Sequence, residues 1–268
     1  MPLHMSRRKY FLATLVAVVI AMVPVRQSAA ENAAADAWVT ALDSGHITAI
    51  GELLARGVDP NIAAANGKTG LMLASQRGES ALVAALIRAG ADVNATNDNG
   101  GTALMYAAMV NDPEVTRVLI GAGADVDIRA KLGWTALLVA AAKGHSGPAR
   151  PLIEAGADVN GQDAYGWTSL MRAVRGGHAD MVALLLGTEG IGLDIVQESG
   201  SSALHIAAAG GHARLAQVLV DHGAATQLRD MAGKTPADVA RGAGFAELAA
   251  ALAGGSGAPE SAAATETS

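Results

Sequence analysis

Three sets of residues in this chain have types and spacings that could do chemistry. Gly67-Lys68-Thr69 and Gly233-Lys234-Thr235 carry the closing triplet of a phosphate-binding loop, in which glycine backbone N–H groups cradle phosphates and the lysine reaches their oxygens. That loop needs another glycine five residues before the Gly-Lys pair, and those positions hold Ile62 and Leu228. His145, His178 and His212 recur at 33- and 34-residue intervals and suggest a metal site, while His205 stands alone. Gly-x-Ser-x-Gly, His-Glu-x-x-His and Gly-x-Gly-x-x-Gly are absent, so no hydrolase elbow, zinc-protease helix or dinucleotide turn is written here. Whether the histidines can converge depends on the elements that carry them.

Those elements repeat. Thr69, Thr102, Thr135 and Thr168 are each 33 residues apart, Ser202 follows after 34, and Thr235 lies 33 further on. A fixed period of 20 to 50 residues is the mark of an array whose units bury their apolar faces only against neighbours. In each unit a turn ends in Gly (Gly67, Gly100, Gly133, Gly166, Gly200, Gly233), and after one variable residue a Thr or Ser supplies the oxygen that caps a helix. That short helix runs through Leu and small residues, as in Leu104-Met105-Tyr106-Ala107-Ala108, and stops near Gly78, Gly144, Gly177 or Gly211. A second helix shows an i, i+3, i+4 apolar stripe, as in Leu215, Val218 and Leu219 or Val115, Val118 and Leu119. It closes on Gly90-Ala91-Asp92-Val93-Asn94 and its copies at 123–127 and 156–160. The fold expected is an all-α solenoid of helix-turn-helix units. Stacked helices sit roughly 8–10 Å apart, whereas each zinc-bound histidine must approach the ion within about 2 Å. One histidine per unit therefore builds no metal centre, and neither metal, cofactor nor catalytic residue is expected.

The pattern resembles the ankyrin repeat, built around Thr-Pro-Leu-His-x-Ala. Ser202-Ala203-Leu204-His205-Ile206-Ala207-Ala208 with Gly211-His212, and Thr235-Pro236-Ala237-Asp238-Val239-Ala240, are the nearest copies. Leu71-Met72, Leu104-Met105, Leu137-Leu138 and Leu170-Met171 put an apolar residue in the place of the histidine, so the loop hydrogen bonds that it makes in the family are expected to be lost there. The resemblance spans roughly residues 35–252 and implies stacked helix pairs with projecting β-turn fingers and a concave surface that binds other proteins. It assigns the recurrent histidines to a structural Gly-His turn.

The chain divides accordingly. Residues 1–30 read as an export signal: Ser6-Arg7-Arg8-Lys9 is a basic start, Tyr10 to Val23 is apolar except for Thr14, and Ser28-Ala29-Ala30 offers small residues for cleavage. The run is shorter than the ~20 residues of a spanning helix. Ser6-Arg7-Arg8-Lys9-Tyr10-Phe11 also resembles a twin-arginine signal, and a general secretory signal is the alternative; the start is Met1 or Met5. Residues 31–63 form a degenerate first unit that caps the stack, 64–227 hold five central repeats, 228–252 a closing cap, and 253–268 a small, polar tail expected to be disordered. Pro148 and Pro151 are tolerated only in a first helical turn, so the helix bearing them is expected to start late, near Pro148. Gly187 to Gly192 holds the one-residue insertion and reads as a longer surface loop.

Charge narrows the partners. All 25 acidic residues come after residue 30, whereas four of the 19 basic ones lie in the leader, leaving 25 acids against 15 bases and disfavouring nucleic acid. The chain has no cysteine, so an exported form must be stabilised by packing alone. Positions that vary between units are free to contact something else. The residue before the capping Thr is Lys68, Gly101, Trp134, Trp167, Ser201 and Lys234 in turn; the fourth after it includes Tyr106, Val139 and Arg172; the seventh includes Gln76, Met109, Ala142 and Arg175. The expected partner-binding set is Trp134, Trp167, Tyr106, Tyr165, Met109, Arg172, Arg175, Lys131 and Lys143, with the two tryptophans side by side one repeat apart. The resulting reading is a monomeric, non-enzymatic module, periplasmic or secreted, that binds another protein, does not bind nucleic acid and has no membrane span after cleavage. A hydrolase or redox enzyme using the array as scaffold, and a passive spacer, are the alternatives. If the leader is real, N-terminal sequencing of the mature protein will find a start near residue 31, and Arg7→Lys with Arg8→Lys will block export only on the twin-arginine route. A mature chain beginning at Met1 or Met5 contradicts the leader.

Overall fold

The computed structural model describes residues 29–254, which form fourteen α-helices with no strand among them. The expected leader and tail lie outside the described residues, except that Ala29 and Ala30 open the first helix, Ala253 closes the last and Gly254 follows it. Seven inner helices alternate with seven outer ones. The inner set is α1 (Ala29–Ser44), α3 (Gly70–Arg77), α5 (Ala103–Met109), α7 (Ala136–Lys143), α9 (Ser169–Arg175), α11 (Ala203–Ala209) and α13 (Pro236–Gly242). The outer set is α2 (Ile47–Ala55), α4 (Ser80–Arg88), α6 (Pro113–Gly121), α8 (Ser146–Glu154), α10 (Ala179–Leu186), α12 (Ala213–Asp221) and α14 (Ala246–Ala253). From α3 onward each inner helix packs on the next inner one, and the expected solenoid is what forms. No helix among the described residues is long and apolar enough to cross a membrane.

Each element arises from its repeat. The hydroxyls of Thr69, Thr102, Thr135 and Thr168 accept the N–H three residues on, all at 3.3 Å, which satisfies a donor left over at a helix start. Two residues after the cap, Leu71, Leu104, Leu137, Leu170 and Leu204 are buried in every central unit. His205 is buried: its Nδ1 accepts the Ser202 N–H at 3.3 Å, so Nε2 carries the proton and donates to the Lys234 carbonyl at 3.1 Å. Met72, Met105, Leu138 and Met171 replace this bond with buried apolar contact. In the closing unit Asp238 takes the place and accepts the Thr235 N–H at 3.1 Å. That backbone bond, then the Thr235 hydroxyl and Arg241, hold its carboxyl below the usual carboxylate range.

The units interlock through their fingers. Each finger closes on itself, as Gly166 N–H donates to Asp163 O at 3.0 Å, and donates one backbone N–H to a carbonyl of the finger before it: Asp98 to Asn66, Lys131 to Asn99, Ala164 to Leu132, Glu198 to Tyr165 and Met231 to Ser199, at 2.8–3.1 Å. The finger glycines have φ of +73° to +79°, a conformation that costs L-residues about 1–2 kcal/mol. In five of the six, a Cβ would also fall 2.8–3.1 Å from backbone of the next finger. On the opposite edge runs a ladder that the repeat pattern did not announce: side-chain oxygens of Asn61, Asn94, Asp127, Asn160 and Asp194 each accept a backbone N–H of the following unit at 2.7–3.0 Å. The inserted residue is absorbed before Gly190, whose carbonyl still accepts from Asn160 at 2.8 Å.

Two further details concern the ends and the prolines. The opening cap docks by Trp38, fully buried with its indole N–H on Ile62 O at 2.9 Å; a Cβ added at Gly70, the first residue of α3, would lie 2.8 Å from the ring. The late start expected for the proline helix is not observed. α8 begins at Ser146, two periods after Ser80 at the head of α4, and keeps the same nine-residue length. Packing against α6 and α10 sets its register, and Pro151 sits inside it at the expense of one ladder hydrogen bond. The glycine geometry predicts unequal costs for one substitution: a Cβ at Gly233, in the last finger, meets nothing within 4 Å, whereas at Gly166 it falls 2.9 Å from Gln197 Cα. Gly233→Ala will cost about 1–2 kcal/mol of backbone strain alone, and Gly166→Ala distinctly more, as measured by urea denaturation.

Candidate functional site

The variable positions lie on one face, formed by the finger bases and the inner helices. Trp134 and Trp167 stand on it one repeat apart. Arg172, from α9, places its guanidinium between them, 4.7 Å from the Trp134 ring centre and 4.8 Å from that of Trp167. Arg175, one turn later on α9, lies over Trp167 at 5.1 Å. The order along the face is Trp134, Arg172, Trp167, Arg175, and each cation–ring contact contributes roughly 0.5–2 kcal/mol depending on its desolvation.

The stack is anchored from below. Arg172 forms an ion pair with Asp163, whose side chain is fully buried, and Arg172 itself is only 15% exposed. The same carboxylate accepts the N–H groups of Tyr165 at 2.9 Å and Trp167 at 3.0 Å. One buried acid thus ties the finger of Trp167 to α9 and fixes the indole. Arg172, expected in the partner-binding set, is paired inside the protein with Asp163 and lies against both indole rings. Arg175, Lys131 and Lys143 are exposed; Lys131 donates to Asn99 Oδ1 at 3.1 Å.

Tyr106 and Met109 of α5 are half-buried in a neighbouring cluster. Asn97 donates to the Tyr106 hydroxyl at 2.9 Å, and Lys68 lies 5.9 Å from the ring centre while donating to Gln76 at 2.8 Å. Burial, and secondarily the charge of Arg77, hold the Lys68 ammonium below the ordinary lysine range. Tyr165 sits at a fingertip, 47% exposed, and Leu132 holds the equivalent tip one unit earlier, 54% exposed with φ of +61°. A bulky side chain in that left-handed conformation is uncommon, and nothing in the residue pattern marked Leu132 out. Asp163 was equally unmarked. Beyond Trp167 the face opens into a recess of about 600 Å³, lined among others by Arg175, Ser201, Ile206, Lys234 and Val239.

The histidines are packing groups. His145 Nδ1 is 3.0 Å from Ala108 O and His178 Nε2 is 3.3 Å from Ala142 O, each in the preceding unit. A Cβ on Gly144 would fall 2.5 Å from the His178 ring, and Phe245 covers Gly211 in the same way, also at 2.5 Å. The equivalent position holds Phe245 in the last unit and Asp112 in an earlier one, whose carboxylate lies 2.9 Å from a Cβ added at Gly78, so what it supplies is a side chain over the glycine corner rather than a ligand nitrogen.

Comparison with known families places this geometry. Residues 38–130 and 108–198 match the family described as "Ankyrin repeats (3 copies)", and residues 190–240 match "Ankyrin repeats (many copies)". The chain is an ankyrin-repeat protein. Among solved structures it is similar to the human ASB11 ankyrin repeat domain, with 26% identity and a TM-score of 0.70 over 87% of this chain and all of that one. Ankyrin repeats in general point to protein–protein interaction, and scaffolding rather than catalysis is their general role.

The internal ion pair separates the two arginines experimentally. Arg172→Ala will strand a buried carboxylate and cost about 3 kcal/mol in denaturant unfolding, whereas Arg175→Ala, at the exposed end of the stack, will change stability by no more than about 0.5 kcal/mol. Equal, small effects would show that Asp163 does not depend on Arg172.

Proposed function

We propose that this ankyrin-repeat protein is a non-catalytic binding module, exported to the periplasm or beyond, that grips a protein partner through the concave face of its middle repeats. The observation that carries the reading is the Trp134–Arg172–Trp167 stack. Large aromatic side chains dominate binding energy when they are held rigid and partly desolvated before the partner arrives. Here a fully buried carboxylate and an intervening guanidinium do that holding, while the exposed Leu132 and Tyr165 tips extend the apolar area. Export is supported by the basic, apolar and small-residue segments of the first 30 residues.

Cross-linked pull-down from periplasmic extract with mass spectrometry supplies the partner, and isothermal titration of that partner tests the face. Trp134→Ala and Trp167→Ala are each expected to weaken binding by about 2 kcal/mol or more. Trp134 is the cleaner probe, because Trp167 also packs against the core and its loss will lower thermal stability slightly. Normal affinity in both variants would move the site off this face.

A further inference from the structure

We infer that the recess beyond Trp167 receives an acidic, extended peptide segment of the partner, with a carboxylate taken by Arg175 and Lys234 and an apolar side chain laid on Ile206 and Val239. The inference rests on the concave-face reading and names what that face selects. Charge complementarity is its first support. The ion pairs among the described residues are Arg117–Glu114, Arg172–Asp163 and Arg241–Asp238, so both cations of the recess are without a counter-ion in a chain whose net charge is −6. The carboxylate in the lining, Asp230, is engaged by its own finger, accepting the N–H groups of Ala232 and Lys234, each at 2.9 Å. Arg175 leans on Trp167 at 5.1 Å, which fixes its position while its N–H donors, arranged to fork a carboxylate, find no acceptor among the described residues.

Shape is the second support. The recess of about 600 Å³ falls in the range of roughly 300–1,000 Å³ typical of ligand sites. It exists because the seventh residue after the cap shrinks from Arg175 to Ala209 and then Gly242; a Cβ added at Gly242 would meet nothing within 4 Å. Half-buried Ile206 and Val239 are successive copies of one position and give an apolar floor beside the cations. Two cations do not make a polyphosphate track, which gains affinity from many phosphate contacts; a single carboxylate beside an apolar strip is what they match.

The test is selection of a phage-displayed linear dodecapeptide library on the immobilised full chain, repeated on the double variant Arg175→Glu/Lys234→Glu. Peptides enriched on the unaltered chain are expected to be rich in Asp and Glu. As synthetic peptides they should bind the double variant at least tenfold more weakly, lose a similar factor when Glu is replaced by Gln, and weaken as NaCl rises. Circular dichroism and melting of the double variant, and the milder Arg175→Gln/Lys234→Gln pair, show that the loss is not unfolding. Enriched peptides that are neutral and bind the double variant normally, but fail on Trp134→Ala, overturn the acidic recess while leaving the concave site in place. Peptides indifferent to all of these changes overturn both readings, and no enrichment on the unaltered chain counts against the recess.

Discussion

The close approach of one finger's backbone to the glycine of the finger before it is the contact on which the rest of this structure depends. At Gly67, Gly100, Gly133, Gly166 and Gly200 the chain needs a left-handed φ, and the space a side chain would take is already filled by the next unit. That spacing fixes the translation from repeat to repeat, and with it the backbone hydrogen bond between successive fingers and the Asn/Asp ladder on the other edge. It also determines what equivalent side chains can do. Distances of 4.7 and 4.8 Å from one guanidinium put the two tryptophan rings up to about 9.5 Å apart, close to the roughly 8–10 Å of packed helices. The planar guanidinium of Arg172 lies over both rings.

From this geometry the arginines divide their work. Arg172 is desolvated on both faces by indoles and neutralised by Asp163, so its free energy goes into holding an arrangement. Arg175 has an indole on one side and keeps its donors. A buried charge pair stabilises little by itself, because desolvation offsets the attraction; here it holds one geometry of the aromatic pair, which in the proposed binding role would lower the entropy lost on association.

How much of this the amino-acid order disclosed depends on whether the determining neighbour lies at a fixed offset. The capping Thr residues, the buried Leu two places on, the finger glycines and the Gly-His corner repeat at 33 or 34 residues, and all were legible. Copies of the variable positions also line one recess: Trp167, Ser201 and Lys234 before the cap, Ile206 and Val239 four after it, Arg175 seven after it. What could not be read was a partnership made once. Asp163 resembles any turn-forming Asp, and only its packing shows that it neutralises Arg172. The prolines of α8 misled for a related reason. Local helix rules favour a late start, but the register of α6 and α10 sets where the helix begins.

The same repeat logic explains why the face is uneven along its length. Each concave position is solved afresh in every unit, because the core beneath it is supplied by other residues. The fourth position after the cap runs Leu73, Tyr106, Val139, Arg172, Ile206, Val239, and the seventh runs Gln76, Met109, Ala142, Arg175, Ala209, Gly242. Where both are large, at Tyr106 with Met109 and at Arg172 with Arg175, the groove is filled and presents a ridge. Past α9 both shrink while the fingers keep their reach, and the face falls away into the recess. The fold sets the spacing and lets side-chain size alone write ridge or pocket. A ridge of aromatics next to a pocket with unpaired cations is therefore a surface with a direction, and a partner bound as proposed would meet two different ends.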